Sequence, residues 1–144
     1  MSLNVELLTR SFAQVRDRSS EFTTKFYSNL FADHPELQPM FANTQMEEQK
    51  KKLFDSLALV IDNLQAPDIL SATLKGLGTK HVKYGVLPLH YPMVGGSLLK
   101  TFESFLGSNW TPEVKQAWVD AYTAVAQLML EGADYPPGVL SLKN

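Results

Sequence analysis

The sequence predicts an all-α fold, and three observations carry that reading. Apolar residues recur at steps of three and four over almost the whole chain, the spacing that keeps one face of a helix toward a core. Strand-like alternation and Asn-Gly hairpin signals do not compete with it. Prolines punctuate the periodic segments, as at Pro67, Pro88, Pro92 and Pro112, where a helix start tolerates a missing N–H.

The elements follow in order. Segments over about residues 5–16 and 21–31 read as two helices, followed by a short helical turn opened by Asp33-His34-Pro35-Glu36. Leu53, Leu57, Val60, Ile61 and Leu64 mark a third long helix. Pro67 begins the next, whose apolar stripe runs Leu70, Leu74, Leu77 and then His81. Pro88 and Pro92 bracket the entry to a helix through Leu98, Phe102, Phe105 and Leu106, closed by Gly107-Ser108-Asn109. In the last helix Thr111 offers a cap, Pro112 fits the first position and Glu113 complements the dipole. Val114, Ala117, Trp118, Ala121, Tyr122, Val125, Leu128 and Met129 then recur at helical steps, until Pro136-Pro137-Gly138 ends the order. The expectation is one domain over residues 1–144 without internal repeats, with a frayed tail from about Tyr135.

Composition narrows the function classes. A length of 144 residues, 44% hydrophobic and 10% aromatic, supplies one real core. Thirteen Lys plus Arg against fifteen Asp plus Glu give a formal charge of −2, so no global attraction to nucleic acid is built in. The absence of cysteine excludes disulfides, thiolate zinc sites, iron–sulfur clusters and cysteine nucleophiles. Any metal must then be held by imidazole or carboxylate. The N-terminal stretch lacks the pattern of a secretion signal, and no stretch approaches the roughly eighteen apolar residues of a membrane span. A cytoplasmic protein is expected.

His81 is the residue that asks a chemical question. On an apolar stripe an imidazole needs a partner, because an unsatisfied buried nitrogen costs roughly 1–3 kcal/mol. That partner is either a backbone carbonyl or neighbouring side chain, or a metal. A helical domain of this size can hold a flat cofactor between two helices if one supplies a ligand and the other faces it. One turn before Leu53 on its own face stands Gln49, able to donate and to accept. Tyr27 adds a phenol, and Phe41, in the corner Gln38-Pro39-Met40-Phe41, a ring that can pack on a planar group. Each residue alone also reads as core or as solvated surface, as does the Lys50-Lys51-Lys52 run.

At these positions the chain resembles the globin family, from about residue 5 to residue 132. The motifs are Phe41 after the short third helix, the stretch Leu77-Gly78-Thr79-Lys80-His81-Val82-Lys83-Tyr84-Gly85-Val86, and Ala117-Trp118 with Tyr122. Within the family it is most similar to single-domain bacterial haemoglobins related to the globin part of flavohaemoglobins, the Vitreoscilla haemoglobin type. The resemblance implies a globin fold, helices packed around a pocket for haem b, with His81 as the proximal iron ligand. It further implies Tyr27 and Gln49 as distal residues that stabilise the bound gas, and Phe41, Leu53, Leu77, Val86, Tyr91 and Val94 as residues around the haem. One match fails. The carboxylate that bacterial relatives place beside the proximal imidazole aligns with Ala133. Glu131 lies two residues away, about 200° around the helix, and Asp134 one residue beyond. This departure argues against peroxidase-like chemistry.

The implied activity is reversible binding of dioxygen, and of nitric oxide and carbon monoxide, at five-coordinate iron. The alternative from the enzyme class is nitric oxide dioxygenation, which turns dioxygen and nitric oxide into nitrate and needs a reductant to turn over. The chain shows no glycine-rich dinucleotide motif, so a separate reductase is the expectation. A haemless or sensory domain acting through partners is the third reading, disfavoured by the complete pocket set.

Overall fold

The computed structural model describes residues 3–83 and 88–133, apart from the side chains of residues 82 and 83. Among them the order is α1 (Val5–Arg16), α2 (Ser19–Asp33), a 3₁₀ segment (Pro35–Phe41), α3 (Met46–Asp62), α4 (Pro67–Lys83), α5 (His90–Leu106), a short 3₁₀ turn (Gly107–Asn109) and α6 (Pro112–Ala133). No strand occurs among the described residues. The all-α expectation therefore holds, and the elements lie where the apolar spacing puts them. Tyr84, Gly85 and Val86, and the tail expected from about Tyr135, lie outside the described residues.

Local chemistry accounts for the helix boundaries. The Asn4 side chain accepts from the Leu7 amide at 3.1 Å and opens α1. Thr111 Oγ1 accepts from the Val114 amide at 3.2 Å and opens α6, with Pro112 at its first position. Gly107 closes α5 with a φ of 53°, a conformation that costs glycine little. Helix α5 starts at His90, so Pro92 falls within its first turn instead of preceding it. The first-turn amides have no intrahelical acceptor, and a proline there breaks no bond.

Among the described residues the apolar interior forms two clusters. The larger joins Leu8, Phe12 and Val15 of α1, Phe22, Phe26, Tyr27 and Leu30 of α2, Phe54 of α3, Phe102 of α5 and Trp118 of α6. Aromatic rings bind it together: Phe102 stacks on Trp118 at 4.1 Å, Phe22 lies 4.7 Å from Phe102, and Phe12 stacks on Phe54 at 5.1 Å. The Trp118 indole N–H, which needs an acceptor once buried, donates to Ser11 Oγ at 2.8 Å. Where α2 crosses α5, Asn29 Nδ2 donates to Thr101 Oγ1 at 3.1 Å. The smaller cluster is Val60, Leu70, Leu74, Tyr91 and Met129.

Helix α4 packs chiefly along α6. The two approach backbone to backbone, because a Cβ at Gly78 would lie 1.8 Å from the Met129 carbonyl oxygen and one at Gly132 would lie 2.1 Å from that of Lys75. Thr79 Oγ1 crosses the same seam and donates to the Gly132 carbonyl at 2.8 Å.

Candidate functional site

The expected site residues fall into two groups, one on each apolar cluster. Tyr27, on α2, is buried at 5% exposure, while Phe41, Leu53 and Val94 pack against the same large cluster and stay half-buried. Leu77 packs against the small cluster, of which Tyr91 is a member. Helical spacing explains each placement. Leu53 and Leu57 share a face of α3 one and two turns beyond Gln49, and Leu77 and His81 continue the buried stripe of Leu70 and Leu74 on α4. Val86 lies outside the described residues.

Tyr27 and Gln49 meet directly. The Gln49 amide Nε2 donates to the Tyr27 phenol oxygen at 3.1 Å. Burial pushes the Tyr27 pKa above its ordinary value of 10.0, and the Gln49 hydrogen bond offsets part of that rise. The phenol is thus protonated at neutral pH, and its proton can be donated while its oxygen accepts from Gln49. Around it stand Phe26 at 4.9 Å and Phe41 at 5.7 Å, both edge-on, with Phe31 packed on Phe41 at 5.3 Å. These rings exclude water from one side of the phenol.

His81 is half-buried, and its Nδ1 lies 2.7 Å from the Leu77 carbonyl oxygen. A carbonyl can only accept, so Nδ1 carries the proton and the lone pair of the neutral ring sits on Nε2. The backbone-carbonyl partner is one of the two possibilities the sequence left open. It fixes the tautomer that places the ring's basic lone pair on Nε2, the form in which an imidazole can hold a metal. Leu53, Leu77 and Val94 are apolar yet not fully covered by protein, which fits a flat apolar group lying against them. The donor set and this apolar lining fit a haem.

Further residues complete the surroundings. Tyr122 Oη donates to the Tyr91 carbonyl at 2.6 Å, and its ring lies against Gly95, where a Cβ would come within 2.6 Å of it. Burial, with Tyr91 adding to it, pushes the Tyr122 phenol pKa up, against a backbone hydrogen bond from Gly95. Glu131 is exposed on α6. His34 and His90, given no ligand role, lie near Glu36: His34 Nδ1 is 3.9 Å from its carboxylate, while burial lowers the His90 pKa and Glu36 opposes that. Lys51 and Lys52 are exposed, as on a solvated helix face, whereas the Lys50 side chain is only 19% exposed and lies 3.5 Å from Glu47. Sequence reasoning missed Phe26 and Phe31 beside the phenol. Their neighbours on α2 also read as core, so composition gave no reason to single them out.

Comparison with known proteins identifies the family. A sequence profile described as Globin matches residues 24–129. A flavohemoprotein of Bacillus subtilis is 30% identical over 88% of this chain and 32% of its own length, and one of Deinococcus radiodurans is 38% identical over 75% and 27%. The chain thus spans about a third of the length of the curated relatives it matches. Among solved structures, a bacterial globin from Campylobacter jejuni superposes with a TM-score of 0.78 at 27% identity, covering 90% of this chain and 93% of that one. An engineered carbene transferase from Rhodothermus marinus, provisionally assigned as a nitric oxide dioxygenase, gives 0.81 at 26% identity, with 95% of each chain covered. The chain belongs to the globin family, a membership that implies haem binding.

Proposed function

We propose that this chain is a cytoplasmic haem b protein that binds dioxygen reversibly, along with nitric oxide and carbon monoxide, for oxygen binding, storage or delivery. When bound, the haem would supply an iron able to take a diatomic gas. His81 would hold the iron through Nε2, its ring oriented by the Leu77 carbonyl. Phe41, Leu53, Leu77, Val86, Tyr91 and Val94 are the residues that would line the macrocycle. Gln49 donates to the Tyr27 oxygen, and the Tyr27 hydroxyl would donate a hydrogen bond to the gas while keeping its proton, two donors in series that polarise one another. A hydrogen bond to an acceptor that gains negative charge contributes about 1.5–3 kcal/mol. Dioxygen therefore gains more from this donor than carbon monoxide, which develops less charge.

The observation that carries this reading is the 3.1 Å contact between Gln49 and the buried Tyr27 phenol. Its test is spectral. The purified chain loaded with haem should show a Soret band that shifts reversibly with dioxygen, and His81→Ala should abolish or strongly alter it. An unchanged haem complex in that variant would overturn the ligand assignment.

The likeness to flavohemoproteins and to the Rhodothermus marinus protein supports a second reading, nitric oxide dioxygenation with electrons from a reductase. Sustained nitric oxide consumption in the presence of a cellular reductase favours it, whereas a single turnover favours simple binding.

A further inference from the structure

The His81 ring is tied to the backbone of its own helix, because Nδ1 donates to the carbonyl of Leu77 one turn back. Any translation or rotation of α4 therefore carries the imidazole with it. What fixes α4 is its seam with α6, where side chains of the small cluster pack beside a stretch of direct backbone contact. The Met129 carbonyl occupies the space of a missing Cβ at Gly78, and the Lys75 carbonyl and Cα occupy that at Gly132. The contacts are reciprocal, each glycine resting on a residue three positions from the other, so the helices interlock over one turn. Thr79 Oγ1, shared between the Lys75 carbonyl of its own helix at 3.2 Å and the Gly132 carbonyl across the seam at 2.8 Å, fixes the sliding register. Side chains can absorb a shift by changing rotamer; main-chain atoms in contact cannot. Gly78 precedes His81 by three residues, about 4.5 Å along the axis. A displacement at the seam thus reaches the ring nearly undiminished.

We propose that Gly78, Thr79 and Gly132 are positioning residues for the His81 imidazole, holding α4 on α6 so that Nε2 is presented at a fixed place and angle. The inference rests on the reading of His81 as the iron ligand. A methyl group at Gly132 would sit 2.1 Å from the Lys75 oxygen, where real Cβ atoms keep at least 3.0 Å. The helices must part by about an ångström, a shift of the size that degrades a positioned group.

The test uses the full haem-loaded chain and reads the iron–imidazole stretching band of the ferrous, gas-free protein by resonance Raman. A second readout is the rate of haem loss to an acceptor protein. Gly132→Ala should move the band and speed haem loss by roughly ten- to a hundred-fold, the usual cost of disturbing a ligand's support. Thr79→Val should act in the same direction with smaller size, and Thr79→Ser should restore the original band. Thr79→Val also decides the matter if Gly132→Ala fails to fold. In a His81→Gly background filled with free imidazole, where the ligand is detached from α4, the same substitutions should leave the band unmoved. A Gly132→Ala protein that melts earlier yet keeps the parental band would overturn the proposal, as would an equal shift in the imidazole-filled background. If His81→Gly without imidazole keeps the parental haem spectrum, the ligand assignment itself fails, and that result is read independently of the seam.

Discussion

Gln49 Nε2 donates to the Tyr27 phenol oxygen at 3.1 Å, joining α3 to α2 at the edge of the large aromatic cluster. The direction of this bond matters. Because the oxygen accepts, the phenol proton is directed to a different acceptor, and the two side chains form a relay of donors with Tyr27 at its end.

Tyr27→Phe removes the terminal donor and keeps the ring. Dioxygen dissociation from the haem-loaded ferrous chain should accelerate roughly ten- to a hundred-fold, the equivalent of about 1.5–3 kcal/mol, with a smaller change for carbon monoxide. Stopped-flow displacement measures both rates, and equal rates in parent and variant would remove the distal role of this phenol.

Stability should fall at alkaline pH. Burial raises the folded-state pKa of Tyr27 and of Tyr122 above the unfolded value of 10.0. Below that value both states are protonated and the stabilisation is complete; above it the unfolded chain releases protons that the folded chain retains, so stability declines as pH rises. Tyr122→Phe should flatten the decline in denaturant melts above about pH 10. Gln49→Leu should move the Tyr27 ionisation, followed by ultraviolet difference absorbance, to higher pH, because the Gln49 hydrogen bond lowers it.

Two neighbouring glycines on α5 should respond oppositely to alanine. A Cβ at Gly95 would meet the Tyr122 ring at 2.6 Å, so Gly95→Ala should destabilise by about 1–3 kcal/mol through overpacking. At Gly96 nothing lies within 4 Å, and Gly96→Ala should stabilise by about 0.4–1 kcal/mol through lost freedom of the unfolded chain. Thermal melts of the pair check the contrast without reference to haem.

Thr101→Val keeps the shape at the α2–α5 crossing but deprives the buried Asn29 amide of its acceptor at 3.1 Å. The expected cost is about 1–3 kcal/mol. Asn29→Leu combined with Thr101→Val should recover part of it, measured as a double-mutant cycle in urea.

Much of this was legible in the sequence, for identifiable reasons. The bounds of α1 and the starts of α4 and α6 follow from caps, prolines and apolar spacing that act within one turn. Helix α2 runs past the expected limits at both ends, to Ser19 and to Asp33, because polar residues at its ends carry no apolar signal while still hydrogen-bonding as helix. The family resemblance gave Tyr27 and Gln49 distal roles, but their hydrogen bond to each other was not foreseen, since spacing alone gives no distance between two helices. The seam of Gly78 and Gly132 was not legible. A contact between main-chain atoms leaves no mark in side-chain periodicity, and glycine within a helix reads from sequence as a weakness.

The split interior makes the haem-free chain a protein of two unequal strengths. The large cluster is closed on itself by five helices and stacked rings, whereas α4 contributes to a cluster of five buried residues and leans on α6. Amide protons of α4 should therefore exchange with solvent ahead of those in α1, α2 and the middle of α6. Cofactor capture would then be the late closing of one arm onto a body already assembled.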